Sequence, residues 1–169
     1  FFEVRNHRIS TYPIKGTSKR YIDFNLDRQS KEKLKHSIKD KAEHLMIVDL
    51  MRNDLGKICE FGSVKVKDLY KIESFSTIHH IISEIYGKLN KNTTEMKIIE
   101  SLFPGGSITG APKESAMKII DEIEHYNRKI YTGSMGYIAQ NGDMSFNIAI
   151  RTMLQENNYY EYGTGGGIV

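Results

Sequence analysis

The chain has one cysteine, Cys59, so no internal disulfide can form and its stability has to come from a packed core. That sparing use of cysteine fits a reducing cytoplasm, which is the expected location. No apolar run approaches the ~18 residues of a membrane span, and no signal-peptide pattern opens the chain, so no membrane partner is expected. Charge of one sign is also lacking. Lysines are scattered among acids at a net charge of +3, without the aromatic–basic interleaving of single-strand binders. Nucleic acid is therefore not an expected partner. Internal repeats and low-complexity segments are absent. What remains is 169 residues, 39% hydrophobic and 27% charged, the profile of a globular chain with a single core. It opens without methionine, on Phe1-Phe2-Glu3-Val4, and Ile168-Val169 reads as the start of another element. The expectation is one domain over residues 1–169, cut at both ends.

The chemistry gathers near FPGGSITGAPK, residues 103–113. Pro112 is placed for the first turn of a helix, where its missing N–H costs nothing. Ala116, Ile119, Ile120 and Ile123 then give that helix one apolar face. Its N-terminus points free N–H groups at a glycine loop carrying the hydroxyls of Ser107 and Thr109, an arrangement suited to an anion. The same residues also suit a plain helix–loop–helix corner.

Elsewhere the chain alternates strand and helix patterns. Phe2, Val4 and residues 8–12 read as a strand pair about a turn at Asn6-His7. In the run PIKGT, Lys15 is either a partly buried amine or a solvated strand end, and Gly16 permits close approach of a ligand. Residues 30–56 read as a helix, with Leu34, Ile38, Ala42 and Leu45 on its apolar face and Gly56 at its left-handed end. On that helix Asp40 and Glu43 share one side. They form either an exposed acid pair or a site for a hard cation such as Mg²⁺. Residues 58–86 read as strands, in which the adjacent His79 and His80 face opposite ways. Asn92 with Glu95 resembles a helix start. Residues 129–139 and 144–154 flank Asn141-Gly142, a strong hairpin signal, and a third run covers residues 159–162. The glycine run 163–167 exposes N–H groups able to cradle an anion.

The motifs PIKGT, AEHLMIVDLMRNDLG, HIIS, FPGGSITGAPK, YTG, IAIRT and GTGGGIV occur in that order. The series resembles the C-terminal part of the chorismate-binding enzymes and covers essentially the whole chain. Within that family the anthranilate synthases characteristically carry alanine where this chain has Lys15. The chain is thus most similar to the 4-aminating branch, the aminodeoxychorismate synthases that serve 4-aminobenzoate and folate synthesis. Alternatives are the anthranilate and isochorismate synthase branches, or a non-catalytic module that binds an anion.

The resemblance implies an α+β fold with two facing β-sheets, helices outside and a substrate cleft between, present here as a fragment. It implies Lys15 as the amine nucleophile on the chorismate ring, with ammonia supplied by a glutamine amidotransferase partner. Glu43 would be a Mg²⁺ ligand, with Asp40 where relatives often have glutamate. Gly16, Thr17, Tyr131, Arg151 and the backbone of Gly163, Thr164 and Gly165 would bind substrate carboxylates. His80 and Ser107 would flank the ring. Two departures stand out. Relatives commonly read PAGT where this chain has Pro104-Gly105-Gly106-Ser107. The family's general-acid glutamate and its further metal-binding glutamates would lie outside these 169 residues.

Overall fold

A computed structural model describes residues 1–166. The strand pair at the start forms as the pattern predicts. β1 (Phe2–Arg5) and β2 (Arg8–Thr11) are antiparallel about Asn6 and His7, both with positive φ. β3 (Ile14–Lys19) follows Pro13, and the run of residues 58–86 yields β4 (Lys65–Ser74) and β5 (Ile78–Lys88). β5 is the spine of the large sheet. β4 lines one edge, while β3 and β2 lie end to end along the other. Pro13 marks the joint, and its carbonyl accepts from the Ser83 N–H at 3.3 Å. The sheet then continues through β1 to β7 (Met144–Phe146) and β6 (Gly136–Ile138). β6 and β7 are the hairpin expected at Asn141-Gly142, with Gly142 at φ +82°. β8 (Met153–Glu156) and β9 (Tyr159–Tyr162) pair in a separate two-stranded sheet. The fold is α+β, as expected, and its strand pairs are antiparallel, though the strands in 129–139 and 144–154 are shorter than those runs.

Residues 30–56 do not form one helix. α1 (Phe24–His36) and α2 (Ile38–Gly56) are separated by Ser37, whose hydroxyl caps α2 by accepting from the Asp40 N–H at 3.2 Å. Asp23 caps α1 in the same way. The buried stripe of α2 also differs from the apolar pattern. His44, Ile47, Val48, Met51, Asp54 and Leu55 face inward, while Ile38 is 85% exposed and Leu45 lies on the solvent side. Gly56 is the last helical residue and is not left-handed. α3 (Glu95–Leu102) is capped by Thr94 rather than Asn92. α4 (Lys113–Ile123) has Pro112 as its N-cap, one position earlier than expected, and none of its residues is buried.

The core lies between α2, α3 and the sheet, around Ile9, Leu55, Ile85, Leu102 and Met144. Each such side chain contributes roughly 1.5–3 kcal/mol on burial. In β5 the alternate residues His79, Ile81, Ser83, Ile85 and Gly87 are buried, and α1 and α2 reach this face through Asp27 and His44. The opposite face carries His80, Ile82, Glu84 and Tyr86, all partly exposed. The two histidines therefore part to opposite faces, as a strand requires. No helix among the described residues is long and apolar enough to cross a membrane. The expected element at Ile168-Val169 lies outside the described residues.

Candidate active site

β3 is held against β5 with a register break between Lys15 and Thr17, and Gly16 sits in that break at φ +82°. An L side chain is strained there. A methyl on Gly16 would also stand 3.0 Å from both Asp40 Cβ and Ile81 Cδ1. Glycine thus lets the N-terminal half of α2 settle directly on β3. Lys15 is half-buried beside it, in register with Ile81. Thr17 Oγ1 lies 2.9 Å from His80 Nδ1, and the same nitrogen is 3.4 Å from the Gly16 carbonyl. Lys15, Gly16, Thr17 and His80 are thus one group of neighbours on the strand pair. Thr17 and His80 share one face of it, while Lys15 is in register with Ile81 of the other, and Asp40 packs against Gly16.

Glu43 lies about one turn further along α2. Its side chain is 23% exposed and its charged neighbour is Lys39, 3.8 Å away. Among the described residues no three His, Cys, Asp or Glu side chains gather as a metal cage. A single carboxylate of this kind, paired with Lys39, is the least that a protein could contribute to a site for Mg²⁺. That ion takes one or two protein carboxylates and completes its shell from substrate and water.

A second group forms around Tyr131. A methyl on Gly163 would overlap the Tyr131 Cγ and lie 2.5 Å from its Cβ, and one on Gly165 would lie 2.6 Å from its hydroxyl oxygen. The glycine segment is therefore pressed against the tyrosine side chain. Thr164 between them is exposed. The tyrosine segment is braced by Thr132 N–H to Ala149 O at 3.0 Å and Ala149 N–H to Gly133 O at 2.9 Å. An open cleft of about 840 Å³ runs from Tyr131 along α4 to Phe103. Arg128 is one of its walls, but Glu124 holds that guanidinium through both carboxylate oxygens.

Ser107 belongs to neither group. It is exposed on a 3₁₀ turn, Gly106–Ile108, whose floor is Leu50 of α2. Leu50 lies seven residues beyond Glu43, so the two occupy nearly the same helical stripe, about 10 Å apart along the axis. Thr109 does not offer its hydroxyl outward, because it donates to the Gly105 carbonyl at 3.1 Å. Arg151 is exposed in a bend at φ +52°. No hydrogen bond among the described residues joins the Lys15 group to the Tyr131 group.

Three buried polar links were not read from the sequence. His44 Nε2 meets Ser83 Oγ at 2.7 Å, and Ser83 Oγ also accepts the Tyr70 N–H at 3.1 Å. Burial pushes the His44 imidazole down to about 4, so it is neutral at physiological pH. Asp27 accepts from the Tyr21 N–H, Arg20 Nε and His79 Nε2, and His79 Nδ1 lies 2.8 Å from Ser74 Oγ. The Tyr21 N–H, followed by Arg20, pulls the Asp27 carboxyl down to about 2. Asp54, fully buried, takes Lys57 at 2.9 Å and Lys113 at 2.6 Å. A signal for the last link was present: Asp54 falls seven residues after Ile47 and three after Met51, on the stripe of buried apolar residues.

Comparison with known proteins agrees with this architecture. A family profile described as chorismate binding enzyme matches residues 1–169. Aminodeoxychorismate synthase component 1 of Salmonella typhimurium is 47% identical over 169 residues, which are 100% of this chain and 37% of that protein. Anthranilate synthase component 1 of Saccharolobus solfataricus is 44% identical over 168 residues, 99% of this chain and 40% of its own length. The crystal structure of anthranilate synthase component I from Streptococcus pneumoniae superposes with a TM-score of 0.80 at 38% identity, over 90% of this chain and 33% of that one. The chain thus spans well under half the length of these relatives.

Proposed function

The chain belongs to the chorismate-binding enzymes, and on that premise we propose that the whole protein is an aminodeoxychorismate synthase. It would convert chorismate and ammonia to 4-amino-4-deoxychorismate. Overall identity separates this poorly from 2-amination, since 47% and 44% are close. Lys15 carries the reading. It sits half-buried on a bulged strand, in register with Ile81 and next to Gly16, the glycine on which Asp40 of α2 packs.

In this mechanism the neutral Lys15 amine adds to the chorismate ring and the 4-hydroxyl leaves as water. Ammonia then adds and the lysine departs, so one difficult displacement becomes two easier ones. Thr17, Tyr131, Arg151 and the backbone at Gly16, Gly163, Thr164 and Gly165 orient the substrate carboxylates, Arg151 through its planar fork. His80 and Ser107 flank the ring. Glu43 would hold Mg²⁺, which supplies positive charge to the ring carboxylate. Ammonia would come from a glutamine amidotransferase partner.

The test is product analysis. The whole protein is incubated with chorismate, Mg²⁺ and ammonium, alongside Lys15→Ala, and a lysine–substrate adduct is sought on wild type by intact mass. The expected result is 4-amino-4-deoxychorismate from wild type, an adduct confined to wild type, and loss of 4-amination in the alanine variant. Anthranilate from wild type would favour the 2-aminating reading instead. Undiminished 4-amination by Lys15→Ala would end the nucleophile role.

A further inference from the structure

Lys113 opens α4 and closes the segment 103–112 at its base. Its Nζ donates to Asp54 Oδ2 at 2.6 Å and to the Leu102 carbonyl at 3.4 Å. Leu102 ends α3, so that carbonyl is one of the acceptors a helix C-terminus leaves without an internal partner. One ammonium thus joins the last residue before the segment, the first residue after it, and a buried carboxylate of α2. Asp54 is well placed as the anchor. Its side chain is 2% exposed, its other oxygen takes Lys57 at 2.9 Å, and its backbone carbonyl accepts from Ser101 of α3 at 2.9 Å. Three helices meet at this residue.

Within the segment the chain has a second anchor. Gly105 O accepts both the Ile108 N–H at 3.2 Å and the Thr109 hydroxyl, and Gly106 lies hard against Leu50. Ser107 is the exposed side chain of the 3₁₀ turn, between the Gly106 floor and the Lys113 base. We propose that Lys113, through Asp54, is a positioning residue that fixes where Ser107 presents its hydroxyl to the substrate. This rests on the reading above that Ser107 flanks the chorismate ring. Ion pairs with so little exposure repay their desolvation poorly and contribute little net stability. What such a pair supplies is the geometry it imposes on the elements it joins. Misplacing a substrate-contacting group by about 1 Å is enough to cost a large factor in rate or affinity.

The experiment uses the whole protein and chorismate. Lys113→Met keeps the length of the side chain and removes the charge. It should raise the chorismate KM about tenfold with a much smaller change in kcat, and Lys113→Arg should restore most of the loss. A structural role alone would lower Tm and leave KM unchanged at temperatures well below it, and that result would overturn the proposal. Ser107→Ala provides the second readout. If Lys113 acts through Ser107, Lys113→Met adds little to KM once Ser107 is alanine. Multiplying effects in the double variant would overturn it. Should Lys113→Met fail to fold, Asp54→Asn with Lys113→Met removes both charges together and leaves no lone buried ion. A normal KM in that pair is equally fatal. Loss of chorismate turnover by wild type would instead refute the functional reading itself.

Discussion

Gly106→Ala tests whether the serine loop truly rests on α2. The added methyl would overlap Leu50 Cδ2, stand 2.9 Å from its Cγ and 3.8 Å from its Cβ. Because the branch carbon is involved as well as the tip, one side-chain rotation does not clear the contact. Gly106 is not among the residues with positive φ, so alanine suits the backbone and the cost is steric. Overpacking of this kind costs about 1–3 kcal/mol. Against that, replacing glycine by alanine at a compatible position stabilises by ~0.4–1 kcal/mol through the unfolded chain. The net expectation is a loss of about 1–2 kcal/mol. For a domain of this size that is a fall in Tm of roughly 2–8 °C. The sign should reverse once the obstacle is gone. In a Leu50→Ala background both the Cγ and Cδ2 atoms are missing, so Gly106→Ala should be neutral or stabilising by up to ~1 kcal/mol. Thermal and urea melts of wild type, both single variants and the double variant give the coupling directly. An equal loss in both backgrounds, or no loss in wild type, would refute the contact.

Two further outcomes are expected. Asp27 has a carboxyl held near 2 in the fold, below the ~3.9 of an unfolded chain, so its contribution is complete above pH ~4 and lost as pH falls through about 2. Urea midpoints between pH 5 and 2 should fall more steeply for wild type than for Asp27→Asn, and parallel curves would contradict the linkage. Burial pushes the Cys59 thiol up to about 11, so a disulfide reagent at pH 8 should label it slowly in the native protein and promptly in urea. Rapid stoichiometric labelling of native protein would show that Cys59 is accessible.

Local signals in the sequence were reliable where the deciding partner is nearby. The strand pair through Asn6-His7, the hairpin at Asn141-Gly142 and the opposed faces of His79 and His80 follow from neighbours a few residues apart. The inward face of α2 does not. Ile38 and Leu45 are apolar yet exposed, because the face is chosen by Gly16 beneath Asp40, Ser83 opposite His44 and Lys113 against Asp54. Each of those partners is more than 20 residues away, and two of the links are polar, so hydropathy periodicity points elsewhere. The candidate site divides in the same way. PIKGT and HIIS were recognisable as motifs, and their meeting at Thr17 and His80 follows from strand pairing. That Tyr131 would meet Gly163 and Gly165, while Ser107 would be seated on α2, depended on long-range packing that the order of motifs does not encode.

The arrangement of α2 bears on how this stretch can change in evolution. Asp40 meets β3 at one end of the helix and Asp54 meets Lys113 at the other, about 21 Å apart along a continuous helix. One inserted or deleted residue between them would turn everything downstream by about 100° and shift it by about 1.5 Å. Asp54 would then swing out of reach of Lys113 while Asp40 stayed in place, and Leu50 would leave the floor under Gly106. No nearby loop can absorb such a change, since the helix is unbroken from residue 38 to residue 56. Side chains here can be exchanged singly, but the number of residues cannot. Insertions and deletions among related chains should therefore fall before Ser37 or after Gly56, and the fifteen positions from Asp40 to Asp54 should align without a gap.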